Sequence, residues 1–181
     1  VLGTDTRHHL IAVNFPGYGH SPAHDDAAHG PLGFAALSAY LAAHISAYAD
    51  TSLPIHLVGH SIGGMVALDH AIRHPDHVQS LTLMAATSAF GGRDDTFKDA
   101  FLKARLGPLD EGMTMAEMAR IAAPHLVGPS ADQAIVNAVE ASLAAVPVDV
   151  WRQILTCLVT FNRRDDLDHV VCPVLVIAGG A

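Results

Sequence analysis

Basic residues are scarce in this sequence: 10 Lys and Arg stand against 18 Asp and Glu, for a formal net charge of −8. A nucleic-acid-binding surface needs a basic stripe to neutralise phosphates, so this balance argues against nucleic acid as a partner. Long hydrophobic runs are also missing, since none approaches the roughly 18 residues needed to cross a bilayer. Neither a basic segment nor an apolar stretch near the start marks a signal peptide. We therefore expect a cytoplasmic protein without a membrane partner.

Cysteine is equally sparse, with Cys157 and Cys172 alone. Both lie in apolar surroundings without paired spacing, which predicts reduced core residues rather than a zinc site or a redox pair. Histidine is plentiful, at 13, and the segment HSPAHDDAAH holds five candidate metal ligands: His20, His24, Asp25, Asp26 and His29. Pro, Ala and Gly surround these residues without a fixed helical face. We therefore expect a solvated polar loop there, and neither a metal nor another cofactor.

Half of the 181 residues are hydrophobic and the mean hydropathy is +0.31, which suits one domain with a sizeable core. Four apolar runs predict strands buried on both faces, as in a parallel sheet: residues 9–15, 54–60, 80–86 and 173–179. A helical stripe runs from Phe34 to Tyr48, and a second helix is expected over residues 62–73. This alternation predicts an α/β fold with a doubly wound, mostly parallel sheet.

Strand candidates are missing from Ser88 to Asp168. Four helical stretches are expected in this region instead, near residues 94–105, 114–123, 131–145 and 148–161, separated by Gly-Pro pairs and a proline. A helical block between two strands of one sheet predicts a lid. We therefore expect a first core segment of residues 1–87, a lid of residues 88–168 and a last core segment of residues 169–181. Seven apolar residues suit the inner face of the lid: Leu102, Leu106, Met115, Met118, Leu126, Trp151 and Leu155.

One serine stands between glycines in the segment LVGHSIGGMVALDHA, where an apolar run meets a helical pattern. Gly59 to Gly63 spell G-H-S-I-G, which matches the G-x-S-x-G pattern of a nucleophile at a strand-to-helix turn. Such a turn strains the serine backbone and projects its hydroxyl above the sheet, so Ser61 is the predicted nucleophile. The two glycines are predicted to prevent clashes at the corner. The backbone N–H of Ile62, which opens the helix, is the predicted oxyanion donor.

At these residues the sequence resembles the α/β-hydrolase family. The segment IAVNFPGYGHS (11–21) is similar to that family's strand and glycine loop ahead of the nucleophile, and VLVIAGG (174–180) to the strand that usually delivers the triad acid. The predicted lid is similar to that of small lactonase- and esterase-like members such as 3-oxoadipate enol-lactonases. The resemblance implies a partial α/β-hydrolase fold, with a helical lid inserted after the third visible strand.

The family's triad histidine and acid, and its second oxyanion donor, have no match in the sequence. The acid usually follows the strand that ends here, the histidine comes far later, and the donor comes from an earlier glycine loop. The resemblance therefore implies a chain truncated at both ends, with acid and histidine beyond Ala181 and the donor before Val1. It also implies a missing strand between the strands at 9–15 and 54–60, which would then expose unpaired edges or pair directly.

Several residues inside the chain are alternatives for the missing partners. His60 belongs to the elbow and is adjacent to Ser61, but its side chain is expected to point away from the nucleophile and to pack. His125 and His169 are expected to be solvated or capping residues. Three acidic residues fit helix-end and turn chemistry: Asp165, Asp166 and Asp168.

The resemblance implies an enzyme that, in its complete form, hydrolyses a small-molecule carboxylic ester, lactone or thioester through an acyl-serine intermediate. The chain as it stands is expected to be inactive. A serine rather than an aspartate at the elbow disfavours haloalkane dehalogenase and epoxide hydrolase chemistry. Two alternatives stay open: a carbon–carbon bond hydrolase of ring-cleavage products with the same triad, and a non-catalytic remnant or small-molecule receptor of the same fold.

Overall fold

The computed structural model describes residues 8–50, 52–90 and 94–179. Its helices are α1 (Asp26–His29), α2 (Phe34–Tyr48), α3 (Ile62–Arg73), α4 (Asp95–Asp110), α5 (Met115–Leu126), α6 (Gln133–Ala144) and α7 (Val148–Leu158). Its strands are β1 (His56–His60), β2 (Ser80–Met84) and β3 (Val174–Ile177), and short 3-10 helices cover Pro75–His77 and Arg164–His169.

The chain divides into two compact units. The first, called the sheet unit, consists of residues 1–13, 32–92 and 157–181. The second, called the helical unit, consists of residues 14–31 and 93–156.

A parallel sheet in the order β1-β2-β3 forms the centre of the sheet unit. Three of the four predicted strands are confirmed. The fourth, at residues 9–15, is wrong, because these residues have no regular secondary structure. Leu10 and Ile11 are 50% and 40% exposed, and within the described part of the chain β1 pairs with β2 alone. An apolar run becomes a strand only where a neighbour completes its hydrogen bonds, and the described residues supply no such neighbour.

The core of the sheet unit lies on one face of the sheet, where α3 packs against β1 and β2, and α2 packs against α3. Leu81 of β2, Val66 of α3 and Leu37 of α2 are each at most 2% exposed. Phe34 contributes an aromatic contact to Phe161, with ring centroids 4.4 Å apart. The helices predicted over 34–48 and 62–73 therefore form where they were expected. Most of α3 is buried, whereas α2 is buried at Phe34, Leu37 and Ser38 and its last residue, Tyr48, is 63% exposed.

A buried charge cluster lies between α3 and the segment that follows α7. Asp69 is fully buried, and its carboxylate accepts hydrogen bonds of 2.6 Å from Nε of both Arg73 and Arg163. Arg163 also donates its backbone N–H to the Ser88 carbonyl at 2.8 Å. The residues flanking this bond, Ala89 and Asn162, form an isolated antiparallel bridge. The segment after β2 and the segment after α7 are therefore hydrogen-bonded to each other, and Arg163 bonds the second of them to Asp69 of α3.

The helical unit contains the four helices predicted for this region, and side chains cap three of them. Asp94 accepts the Phe97 N–H at 2.8 Å, and Asp132 accepts the Ile135 N–H at 2.9 Å. A reciprocal capping box joins Thr114 to its N3 residue, a glutamate, at the start of α5. The predicted break at residues 107–108 is wrong, because α4 continues through Pro108 to Asp110. Proline removes one helical hydrogen bond at this position, and the helix ends two residues later.

Three individual expectations need correction. Cys157 is a core residue as predicted, and burial raises the pKa of its thiol to about 12, but Cys172 is only half-buried. The loop HSPAHDDAAH contains a short helix, α1, whose N-cap Asp25 accepts the Ala27 N–H at 2.9 Å. His24 in that loop is largely buried and contacts the Gly30 carbonyl at 2.9 Å.

Within residues 8–50, 52–90 and 94–179, no single helix is long and apolar enough to cross a membrane. Helices α6 and α7 reach that length and composition only as a pair, bent by 97° at their junction.

Candidate active site

Ser61 occupies a sharp turn between the end of β1 and the start of α3. Its backbone has φ 52° and ψ −122°, a conformation that residues other than glycine rarely adopt. Its N–H donates to the Met84 carbonyl of β2 at 2.9 Å, and its carbonyl accepts the Gly64 N–H at 2.9 Å. These bonds hold the strained residue in place from both sides. The strained backbone conformation predicted for Ser61 is confirmed, and the residue is exposed.

Two glycines give the strand and helix the room to approach at this corner. A Cβ on Gly59 would overlap the Gly63 carbonyl and come within 2.5 Å of the Gly64 Cα. A Cβ on Gly64 would lie 2.6 Å from the Ala86 Cβ. A Cβ on Gly63 would meet open space. The prediction for Gly59 is confirmed, but the clearance assigned to Gly63 is supplied by Gly64.

The N-terminus of α3 lies directly after Ser61. Ile62 is the first residue of this 12-residue helix, and the first N–H groups of a helix have no partner within it. The positive end of the helix dipole lies at the same place. An oxygen anion that forms beside Ser61 would therefore have backbone donors and a favourable field close by. This is the position predicted for the oxyanion donor Ile62.

A second strained residue adjoins the elbow and was missed by sequence reasoning. Ala85 follows β2 with φ 47°, and its N–H donates to the Ile177 carbonyl of β3 at 2.9 Å. Its neighbours on either side contact the elbow, Met84 through its carbonyl and Ala86 through its packing on Gly64. Positive φ at a non-glycine residue costs of order 1–3 kcal/mol, which the surrounding structure must offset. An alanine gives no sequence signal for such a conformation.

The histidines considered as alternatives belong to three different elements. His60 ends β1, is exposed, and pairs in register with Met84. His169 is exposed at the end of the 3-10 helix that starts at Arg164, and His125 is exposed near the end of α5. In that same 3-10 helix Asp166 accepts a 3.0 Å hydrogen bond from the Arg163 side chain, so it forms an ion pair.

Candidate metal ligands of the HSPAHDDAAH segment contact neighbouring residues of that segment. Asp25 caps α1, His24 contacts a backbone carbonyl, and the rings of His24 and His29 lie 5.8 Å apart. In the part of the chain that the structure describes, no three His, Cys, Asp or Glu side chains are grouped closely enough to hold a metal ion.

Comparison with known proteins agrees with this geometry. Residues 2–181 match the model of a family described as the alpha/beta hydrolase family. The chain belongs to the alpha/beta hydrolase family. The match confirms the predicted fold class, and the resemblance noted at the elbow extends over almost all of the chain.

The relatives of this alpha/beta hydrolase include two proteins named pimeloyl-[acyl-carrier protein] methyl ester esterase. The protein from Neisseria meningitidis serogroup B is 30% identical over 178 residues, which cover 94% of this chain and 63% of that protein. The protein from Chromobacterium violaceum is 39% identical over 103 residues, 56% of this chain and 35% of that protein. The chain thus spans less than two thirds of the length of the curated relatives it matches.

Solved structures share the fold at lower sequence identity. A thermophilic esterase from Thermogutta terrifontis aligns with a TM-score of 0.76 at 20% identity, over 92% of this chain and 59% of that one. A hydrolase from Pseudomonas aeruginosa PA01 aligns with a TM-score of 0.72 at 22% identity, over 92% and 59% of the two chains.

Proposed function

We propose that this chain carries the nucleophile of a serine hydrolase that cleaves a carboxylic ester, with lactones and thioesters as further substrates of the same chemistry. The observation that carries the proposal is Ser61 itself, held at φ 52° where β1 ends and α3 begins. Strained serines of this kind place a hydroxyl at the carboxyl edge of a parallel sheet, where open α/β sheets bind ligands. The names of the curated relatives support an ester over the other acyl groups.

The reaction would proceed in two halves. In the first, Ser61 Oγ bonds to the carbonyl carbon while a histidine takes the hydroxyl proton, and the oxyanion that forms accepts the N–H of Ile62. The bond to the alcohol then breaks, and the alcohol leaves with the proton from the histidine. In the second half, water attacks the acyl-serine, and the histidine takes and returns a proton in the same way. The products are a carboxylic acid and free Ser61.

We place the histidine and the acid of the triad, and the second oxyanion donor, in parts of the parent protein outside residues 1–181. The greater length of the relatives supports this placement, since 63% of the Neisseria protein corresponds to 94% of this chain. We further propose that the helical unit acts as a lid over the substrate of Ser61.

The test is the turnover of a short chromogenic ester by the full-length parent protein and its Ser61→Ala variant. We expect kcat to fall by roughly 10³-fold or more in the variant, because the covalent route is lost. Ser130→Ala, which changes an exposed serine of the helical unit, is the matched control and should leave kcat unchanged. A phosphonate probe should add its mass to the peptide that contains Ser61. Unchanged turnover in the Ser61→Ala protein would contradict the proposal.

A further inference from the structure

One peptide group links the end of β3 to the backbone of Ser61. The peptide between Met84 and Ala85 donates its N–H to the Ile177 carbonyl at 2.9 Å. The C=O of the same peptide accepts the Ser61 N–H, also at 2.9 Å. The peptide is trans and planar, so its two polar groups point in opposite directions and keep a fixed separation. The end of β3 is therefore joined to Ser61 by a rigid unit rather than by a flexible side chain.

The conformation of Ala85 sets the direction in which the chain leaves this peptide. Its φ of 47° lies in the left-handed region, which an alanine adopts only where surrounding contacts offset the cost. The next residue, Ala86, lies against α3, since a Cβ placed on Gly64 would be 2.6 Å from the Ala86 Cβ. The Ala86 methyl group thus fills the space that a side chain on Gly64 would need. Residues 84–86 therefore contact the elbow at two points, Ser61 and Gly64.

The backbone of Ser61 needs such support from outside the elbow. Its φ of 52° is a conformation that a serine does not favour by itself. The position of its hydroxyl follows the backbone that carries it, and a displacement of about 1 Å at a reacting group can lower a rate by about 10²-fold. The bond from the Met84 carbonyl is a contact that holds this backbone from the neighbouring strand.

We propose that Ala85 is a positioning residue for Ser61. Its left-handed turn keeps the Met84–Ala85 peptide bonded to both β3 and the elbow, and it places Ala86 against Gly64. The inference rests on the proposed role of Ser61 as the nucleophile. It adds that the end of β3 helps to set the position of this nucleophile, together with β1 and α3 on either side of it.

Substitutions of Ala85 separate the backbone conformation from the size of the side chain. A β-branched valine is strongly disfavoured at positive φ, so Ala85→Val should lower kcat for a chromogenic ester by about 10–100-fold and leave KM unchanged. Glycine adopts this conformation freely, so Ala85→Gly should recover most of the lost kcat. Val78→Ala, which removes a buried side chain just before β2, is the control for lost stability and should not change kcat. All variants are made in the full-length protein.

Moving one methyl group tests the contact between Ala86 and Gly64. Gly64→Ala places two methyl groups 2.6 Å apart and should lower kcat by at least about tenfold. Adding Ala86→Gly to this variant removes the clash and leaves one methyl group between the two segments, so most of the lost kcat should return. A double variant as slow as Gly64→Ala would overturn the part assigned to Ala86. The loss would then belong to the Gly59 carbonyl, which lies 3.1 Å from the added Cβ.

The rate at which the Ser61 N–H exchanges with solvent, followed by NMR, needs no turnover. Exchange should accelerate by at least about tenfold in Ala85→Val, as expected for a weakened hydrogen bond, and by less in Val78→Ala. Unchanged kcat or unchanged exchange in Ala85→Val would overturn the positioning role. Full turnover by Ser61→Ala would instead contradict the proposed function, and the exchange rates would then decide the role of Ala85 independently.

Discussion

The two faces of the sheet differ sharply in burial at strands β1 and β2. On the face toward α3, Leu81 is 1% exposed and Gly59 contacts the helix backbone. On the opposite face, Val58 is 67% exposed, and Leu175, two strands away in the same row, is 57% exposed. Strand β3 is at least 45% exposed at each of its four residues, and so on both faces, because α3 packs against β1 and β2. The composition of a strand thus predicts that it will be buried, but the elements around it determine which side is covered.

Ser61 lies at the boundary between these two environments. The helix that follows it belongs to the packed face, where Asp69, Val66 and Ala71 are buried. The strand that precedes it carries the exposed Val58 and His60 on the other face. The elbow is therefore supported by the packed face and by the chain around the end of β2, through the Met84 carbonyl and through Ala86 beside Gly64.

The largest expected effect comes from covering the bare face. The curated relatives extend well beyond this chain, and we predict that residues 1–181 alone aggregate through exposed apolar surface and strand edges. The full-length protein should stay in the supernatant after centrifugation, melt cooperatively, and turn over esters at least about 10³-fold faster. Equal solubility, melting and turnover of the two proteins would contradict this prediction and would give one of the chain's own histidines the role of the base.

The next largest effect concerns the charge cluster on the packed face. Asp69→Asn keeps the shape of the side chain but leaves Arg73 and Arg163 without their shared carboxylate. We expect a loss of about 3 kcal/mol in the free energy of unfolding, measured with urea, since breaking a buried pair typically costs 3–5 kcal/mol and both arginines are partly solvated. Asp110→Asn, which breaks an ion pair to Arg152 on the surface, is the matched control and should cost under about 1 kcal/mol. Equal losses of stability in the two variants would show that burial does not increase the contribution of the Asp69 ion pairs to the free energy of unfolding.

Two leucines compare a buried position on β2 with an exposed position on β3. Leu81→Ala removes a fully buried side chain and should cost about 2–5 kcal/mol. Leu175→Ala removes one that is 57% exposed on the neighbouring strand and should cost less than about 1 kcal/mol in this chain. The same two variants should also be measured in the full-length protein. There the cost of Leu175→Ala should rise if an added segment covers the bare face, and a cost that stays unchanged would contradict that expectation.

Sequence reasoning succeeded where the determinants are local. The Ser61 turn follows from five consecutive residues, and the caps at Asp94, Thr114 and Asp132 precede their helices directly. It failed where the cause lies far along the chain. Residues 9–15 have strand composition but no partner, and the bond between Asp69 and Arg163 spans 94 residues.

Two further misses at the site have a physical cause. The G-x-S-x-G pattern contains Gly63, but the glycine that lies in close contact with its surroundings is Gly64. A side chain there would clash with Ala86, a contact that depends on how α3 packs against the chain after β2. Ala85 combines a positive φ with a hydrogen bond to Ile177 of β3, a residue 92 positions away that the local composition does not specify.

The last and smallest effect is a loss of stability in mild acid, caused by a histidine on the packed face. His70 is 1% exposed, and its Nδ1 lies 3.1 Å from Ser38 Oγ and 3.3 Å from the Ser38 carbonyl. Burial, with His74 and His77 nearby, lowers its pKa from 6.5 to about 4, although Ser38 and Asp69 oppose the shift. Between these two values the unfolded chain binds more protons than the folded chain, so stability falls as pH drops from 6.5 toward 4.

The expected size of the loss from pH 7 to pH 5 is about 2 kcal/mol, from the two pKa values and 1.36 kcal/mol per pKa unit. Urea unfolding at both pH values measures it. His70→Asn keeps a polar group near Ser38 without a titrating ring, so this part of the pH dependence should disappear. His77→Asn, which changes an exposed histidine, should retain most of it. If the two variants showed the same pH dependence, the loss would belong to another group, and burial on the α3 face would not make His70 the acid-sensitive point of the sheet unit.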